Sequence, residues 1–135
     1  MRPLGVTLIA ALHWLRGLVY VAVGLALLGI THLSAHMIES VAADSFMQRV
    51  VSGLGKTLGY GVLFLALLYI IMGLGLWAMK NWARMLTLIF AVIWLASATI
   101  RLVSYPSPFH VLRAVVDVAI LVYLMLPDVK KLFAA

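Results

Sequence analysis

The sequence predicts an all-α integral membrane protein, a four-helix transmembrane bundle with an antiparallel, up-down arrangement. Apolar residues make up 66% of the 135 residues and charged residues only 10%, whereas soluble domains average about 45–50% and about 25%. A domain of this length buries too small a share of its surface to hide that apolar excess in a core. Four stretches reach the roughly 20 apolar residues that a helix needs to cross the hydrocarbon layer.

The predicted spans follow one another within a single transmembrane domain over residues 1–135. They cover approximately residues 4–30, 58–79, 83–103 and 109–126. The first is too long for a signal peptide and three more follow it, so we expect it to be retained. The tight connector KNW at 80–82 predicts that the second and third helices are antiparallel neighbours. The run SYPSP at 104–108 interrupts the chain before the fourth span, because proline disfavours helix at the residue before it.

The polar segment 31–53 is predicted to lie outside the bilayer, on the extracytoplasmic side. A short interfacial helix is an alternative there, although its apolar residues form no continuous helical stripe.

The positive charges predict the orientation. One side of the predicted bundle carries Arg2, Lys80, Arg84, Lys130 and Lys131, opposed by Asp128. The other side carries Arg49, Lys56 and Arg101, offset by Glu39 and Asp44. Aromatic residues expected at the interfaces are Trp77, Trp82, Tyr105 and Tyr123. Cytoplasmic loops carry an excess of Lys and Arg, so both termini are predicted to be cytoplasmic. Because these residues occur singly or in pairs, the net charge of +6 does not indicate a nucleic-acid partner.

The first and fourth spans each collect polar and small residues on one helical face, which indicates a face turned toward the protein interior. In the first span this face comprises His13, Arg16, Gly17, Tyr20 and Gly24, and in the fourth His110, Arg113, Ala114 and Asp117. Arg16 lies about 18 Å and Asp117 about 12 Å from opposite ends of their helices at 1.5 Å per residue. In a core about 30 Å thick these depths coincide. A buried Arg16–Asp117 ion pair is therefore predicted, either as a structural fastener or as part of a polar cavity, with snorkelling of Arg16 as a third possibility.

The predicted outer half of the bundle contains more arginines than embedded acids. There are three arginines, Arg16, Arg101 and Arg113, but only one carboxylate within the predicted spans, that of Asp117. Either an acid from 31–53 folds toward them, or water enters, or an anion supplies the charge. The candidate cavity for an anion, proton or anionic lipid is lined by His13, Arg16, Tyr20, Arg101, His110, Arg113 and Asp117.

Glycines indicate close helix packing. GKTLG at 55–59 is a GxxxG motif, which permits close approach of two helices. The residues predicted to pack in this way are Gly17, Gly24, Gly55, Gly59 and Gly73. Packing within the chain is favoured over a dedicated dimerisation face.

Cofactor and catalytic signatures are weak. A b-type haem needs two imidazoles at one depth, whereas His13 is expected near mid-membrane and His110 near the outer surface. His32 and His36 are spaced for metal binding, but no third ligand is evident, so no metal is predicted. No GxSxG, HExxH or Walker motif occurs, and no cysteine, so the protein is predicted not to be an enzyme.

The run YIIMGLGLWAMKNWAR at 69–84 resembles a family of small prokaryotic four-span membrane proteins of unknown function. RPLGVTLIAALHWLRGL at 2–18 and RAVVDVAILVYLMLPDVKKLF at 113–133 are similar to the first and last spans of that family. The resemblance implies a multi-pass protein of the cytoplasmic (inner) membrane of a prokaryote, and it implies no catalytic residues.

Three functions follow as hypotheses. The first is a non-enzymatic structural or accessory protein that contacts membrane lipids and associates with itself or with a larger membrane complex. The second is binding or transport of an anion, a proton or an anionic lipid at the arginine-rich cavity. The third is electron transfer by a b-type haem.

Overall fold

The computed structural model describes residues 3–41, 45–104 and 107–134, and the regular secondary structure in these ranges is helical. The helices are α1 (Leu4–Val41), α2 (Ser45–Trp77), α3 (Asn81–Ser104), α4 (Pro108–Met125) and the short α5 (Pro127–Leu132). Four of them are long and apolar enough to cross a membrane, over Leu4–Ser34, Arg49–Trp77, Asn81–Ser104 and Pro108–Met125. The predicted all-α class with four candidate spans is confirmed. The up-down arrangement and the orientation stay predictions, and Arg2, Asp44 and Tyr105 lie outside the described residues.

The first two helices are longer than the sequence predicted. α1 continues to Val41 and α2 begins at Ser45, so the described part of the segment 31–53 extends the two helices beyond their candidate spans. That this segment lies outside the bilayer stays a prediction. α1 accommodates polar residues there, and two of their hydroxyls bond to carbonyls one turn earlier. Thr31 Oγ1 donates to the Leu27 carbonyl at 2.6 Å and Ser34 Oγ to the Ile30 carbonyl at 2.7 Å. Such bonds satisfy a hydroxyl without interrupting the backbone ladder.

The chain forms two compact units, and the unit of residues 13–70 is held together where α1 and α2 pack closely. A Cβ atom added to Gly24 would lie 2.7 Å from the Leu63 side chain and 3.3 Å from the Gly59 carbonyl oxygen. A Cβ atom on Gly59 would lie 2.6 Å from the side chain of Leu28. The contacts run in opposite directions along the two helices, so the helices are antiparallel. Only glycine leaves room for this approach of two backbones.

The other unit, residues 1–12 and 71–135, has an apolar core. The core is formed by Val6, Ile9, Ala10, Leu76, Ala83, Ile120, Leu124, Val129 and Phe133. Contributions come from the start of α1, the end of α2 and the helices α3 to α5. The short α5 is therefore anchored to this core by Val129, which lies within the helix, and by Phe133, which directly follows it. These residues are 6% and 3% exposed.

The turn between α2 and α3 is a Schellman motif. The Met79 N–H donates to the Leu76 carbonyl at 3.0 Å and the Lys80 N–H to the Gly75 carbonyl at 2.8 Å, which is the paired pattern of that motif. Met79 adopts a positive φ of 55° at the position usually taken by glycine. The turn places Trp82 against Gly75, where an added Cβ atom would lie 2.8 Å from the indole ring.

Proline and serine define the start of α4 as the SYPSP run predicts. Ser107 is the N-cap, with its side chain accepting a hydrogen bond from the Phe109 N–H at 3.3 Å. Pro108 occupies the first turn, where its missing N–H leaves no helical hydrogen bond unmade.

Candidate functional site

A cleft lies between the end of α3 and the start of α4, within the unit of residues 1–12 and 71–135. It is lined by Trp94, Ser97, Ala98, Arg101, His110 and Arg113. Its empty volume is about 230 Å³, including the part open to the surroundings. Three of the residues that the sequence predicted for an anion cavity, Arg101, His110 and Arg113, therefore meet at one place.

Arg113 is held over an aromatic ring. Its guanidinium carbon lies 5.0 Å from the centroid of the Trp94 ring, within the range of a cation–π interaction. Stacking uses the face of the guanidinium, whereas its N–H donors lie at the edge in a fixed fork. Arg113 is thus positioned by α3 while keeping a geometry suited to a planar or tetrahedral oxyanion.

Two buried polar atoms of the cleft residues have no hydrogen-bond partner among the described residues. They are Trp94 Nε1 and His110 Nδ1. Buried polar atoms are nearly always paired with protein groups or with ordered water. The indole nitrogen is only a donor. With two guanidiniums beside it and no acidic side chain among the lining residues of the described chain, the cleft presents an excess of donors.

His13 and Tyr20 belong to a ring cluster in the unit of residues 13–70. Their ring centroids lie 5.5 Å and 5.4 Å from that of Tyr69 in α2. Tyr69 is only 1% exposed, and it was not among the residues predicted for the site. It lies three residues after Ala66, which is also buried, so both share one helical face. Of the seven residues predicted to line one cavity, His13 and Tyr20 belong to this ring cluster, whereas Arg101, His110 and Arg113 line the cleft. A single cavity that contains all seven stays a prediction.

Asp117 is buried in α4, with 1% of its surface exposed. Arg16 is partly buried in α1. The two residues belong to different compact units, and their pairing stays a prediction.

The glycines predicted to pack are mostly found between α1 and α2. Besides Gly24 and Gly59, an added Cβ atom on Gly17 would lie 3.2 Å from the Ala66 carbonyl oxygen, and one on Gly55 would collide with Thr31. Gly73 is buried in the other unit.

Arg84 has a position that its sequence did not indicate. The charge pattern predicted that it lies at the membrane surface, whereas the residue is only 6% exposed. It donates to Asn81 Oδ1 at 3.1 Å and to the Leu124 carbonyl at 3.3 Å. That carbonyl is one of the last four of α4, which have no partner within the helix. Arg84 therefore ties the start of α3 to the end of α4.

Within residues 3–41, 45–104 and 107–134, no three His, Cys, Asp or Glu side chains are placed to hold a metal ion. His32 and His36 lie on successive turns of α1 with ring centroids 4.8 Å apart.

Four apolar helices, with side chains such as Leu15 and Leu18 about 60% exposed, define the class of a multi-pass membrane protein, because lipid is the solvent that such surfaces require. The chain belongs to the family DUF2127, described as a predicted membrane protein, whose sequence pattern matches residues 5–127. This confirms the resemblance to a four-span membrane family of unknown function. No curated protein and no solved structure matches the chain.

Proposed function

We propose that this protein is a non-enzymatic membrane protein that binds a phosphate-bearing anion in the α3–α4 cleft. The observation that carries the proposal is the meeting of Arg101, Arg113 and His110 in a cleft without an acidic lining residue in the described chain. Charges near a bilayer core are costly unless they are paired. A phosphate offers several acceptor oxygens, and guanidinium forks bind these with two parallel hydrogen bonds.

The cleft is partly open to the surroundings, and Arg101 at its edge is exposed. A phosphate group therefore approaches the arginines from outside the helix pair, whether it belongs to a lipid or is free. Trp94 and Ala98 supply apolar wall beside the arginines, as the glycerol end of a lipid requires.

The location of the cleft follows from the charge pattern. We place the protein in the cytoplasmic membrane of a prokaryote, with both termini inside and the cleft in the outer half of the bilayer. This orientation satisfies the positive-inside rule. The role is then that of an accessory protein that holds an anionic lipid or solute, alone or within a larger membrane complex.

The test compares ligand retention and thermal stability in one series of variants. Wild-type protein is purified from mild detergent and incubated with phosphatidylglycerol, phosphatidylcholine or inorganic phosphate. Native mass spectrometry then reports retained lipid, and thermal unfolding reports stabilisation by either source of phosphate. The variant is Arg101→Gln with Arg113→Gln. The matched control is Arg49→Gln, which removes an exposed cation of α2.

Binding at the cleft predicts that wild type and control retain phosphatidylglycerol at least about tenfold better than the double variant. A charged hydrogen bond is worth about 1.5–3 kcal/mol, which supports this size of effect. Stabilisation by inorganic phosphate instead, with the same dependence on the two arginines, would identify a free anion as the ligand. Equal retention by the double variant and the control, without stabilisation by phosphate, would overturn the proposal.

A further inference from the structure

We infer that the opposite end of the α3–α4 pair binds the head groups of an anionic bilayer surface through Lys80, Lys130 and Lys131. These three lysines are called the basic end. This inference goes beyond the proposed function and depends on different residues. α3 has 24 residues and is about 36 Å long at 1.5 Å per residue. The cleft lies near its last turns and the basic end at its first turn, so the two cationic regions are separated by about the thickness of a bilayer core.

The basic end is assembled by a fixed contact. Arg84, in the first turn of α3, donates to the carbonyl of Leu124 near the end of α4. The α2–α3 turn with Lys80 and the helix α5 with Lys130 and Lys131 therefore lie at the same end of this unit.

α5 presents its lysines outward because its apolar side is packed. Val129 and Phe133 are buried in the core of the unit. Lys130 is exposed, and the side chain of Lys131 is 77% exposed. A helix packed in this way keeps its lysines on one side, at the level where the candidate span α4 ends.

The charge of the basic end is not cancelled by its one described acid. Asp128 lies 3.7 Å from the Lys131 ammonium, and its side chain is 96% exposed, so the pair is open to solvent and weak. Arg84 uses its donors inside the protein. Three exposed lysines against one aspartate leave a net charge of +2.

Aromatic residues indicate that the partner is the bilayer itself. Trp77 and Trp82 flank the α2–α3 turn and are 37% and 46% exposed. Tryptophan is enriched at the level of lipid head groups. Lysines held at that level lie beside lipid phosphates, and each lysine near an anionic surface strengthens binding about fivefold.

The experiment uses the absence of natural cysteine. Ala134→Cys, just after α5, is labelled with a polarity-sensitive fluorophore in the full-length protein. The protein is placed in nanodiscs of phosphatidylcholine alone or with 30% phosphatidylglycerol, and the accessibility of the label to acrylamide, an uncharged quencher, is measured at low and high salt. The variant is Lys80→Gln, Lys130→Gln and Lys131→Gln together. The control is Arg49→Gln with Lys56→Gln, two exposed cations of α2.

We expect phosphatidylglycerol to lower the accessibility of the label at least about twofold in wild type and control. Because acrylamide is uncharged, the anionic discs do not repel it. High salt should remove the effect, because exposed charges are screened. The triple lysine variant should show no response while keeping its melting temperature. An unchanged response in the triple variant, or no response in wild type, would overturn the inference, and neither result bears on Arg101 and Arg113.

Discussion

At the residue scale, two arginines of α3 illustrate how one side-chain type takes opposite roles. Arg101 is exposed at the cleft, whereas Arg84 is buried and donates to the Leu124 carbonyl. The guanidinium of Arg84 satisfies a carbonyl that the end of α4 leaves without a helical partner. The role of Arg84 is therefore structural, and its charge alone does not distinguish it from Arg101.

Arg84→Met is expected to lower the free energy of unfolding by about 1–3 kcal/mol, because the buried Leu124 carbonyl loses its donor. Denaturant unfolding in detergent, followed by tryptophan fluorescence, measures the change. The control is Arg49→Met, which replaces an exposed arginine of α2 and should stay within about 0.5 kcal/mol of wild type. Equal stability of the two variants would contradict the role assigned to Arg84.

A second prediction at this scale concerns Asp117, which is 1% exposed. If it pairs with Arg16 as the sequence predicts, removing one partner costs about 3–5 kcal/mol, since the other charge is left buried and uncompensated. Asp117→Asn should therefore destabilise the protein. The exchange of Arg16→Asp with Asp117→Arg should recover much of the loss, measured by the same unfolding assay. Failure of the exchange to recover stability would contradict the pairing.

At the scale of helices, glycine positions on one helix differ in what surrounds them. Gly24 faces Gly59 and Leu63 of α2. By contrast, a Cβ atom added to Gly29 would have no neighbour within 4 Å apart from the adjacent backbone of its own helix. Both lie in α1, so helix propensity affects both alike. The difference between them measures the contact with α2 alone.

Gly24→Leu is expected to destabilise the protein by several kcal/mol, because the new side chain would force α1 away from α2. Gly29→Leu should be neutral or slightly stabilising, since leucine favours helix over glycine by nearly 1 kcal/mol. Thermal unfolding monitored by size-exclusion chromatography compares the two. A melting temperature that falls equally in both variants would show that the α1–α2 contact is not what the substitution disturbs.

At the scale of the whole molecule, the distribution of charge predicts an orientation that introduced cysteines can test. Because no natural cysteine competes for the label, Ala134→Cys and Ser104→Cys report the two ends of the spans. With both termini inside, a membrane-impermeant maleimide should label Ser104→Cys in intact cells. It should label Ala134→Cys only after the membrane is opened. The reverse pattern would contradict the predicted orientation.

The sequence by itself determined the class of protein and the number of spans. Transfer of a helix into lipid is close to a sum over its residues, so hydropathy along the chain is sufficient to find the spans. The breaks at Pro108 and Pro127 were also predictable, because proline acts on its own neighbours. The limits of α1 and α2 were not, since hydropathy marks where the apolar part of a helix ends and not where the helix itself ends.

Only the tertiary structure decided which side chains meet. Helical periodicity placed His110 and Arg113 on one inward face of the fourth span, but the contact of Arg113 with Trp94 depends on how α3 and α4 are rotated and staggered. The contact of Tyr69 with His13 and the burial of Arg84 depend on the same kind of arrangement. A sequence pattern gives the face of each helix, whereas the partner across it follows from packing between helices, which no local pattern records.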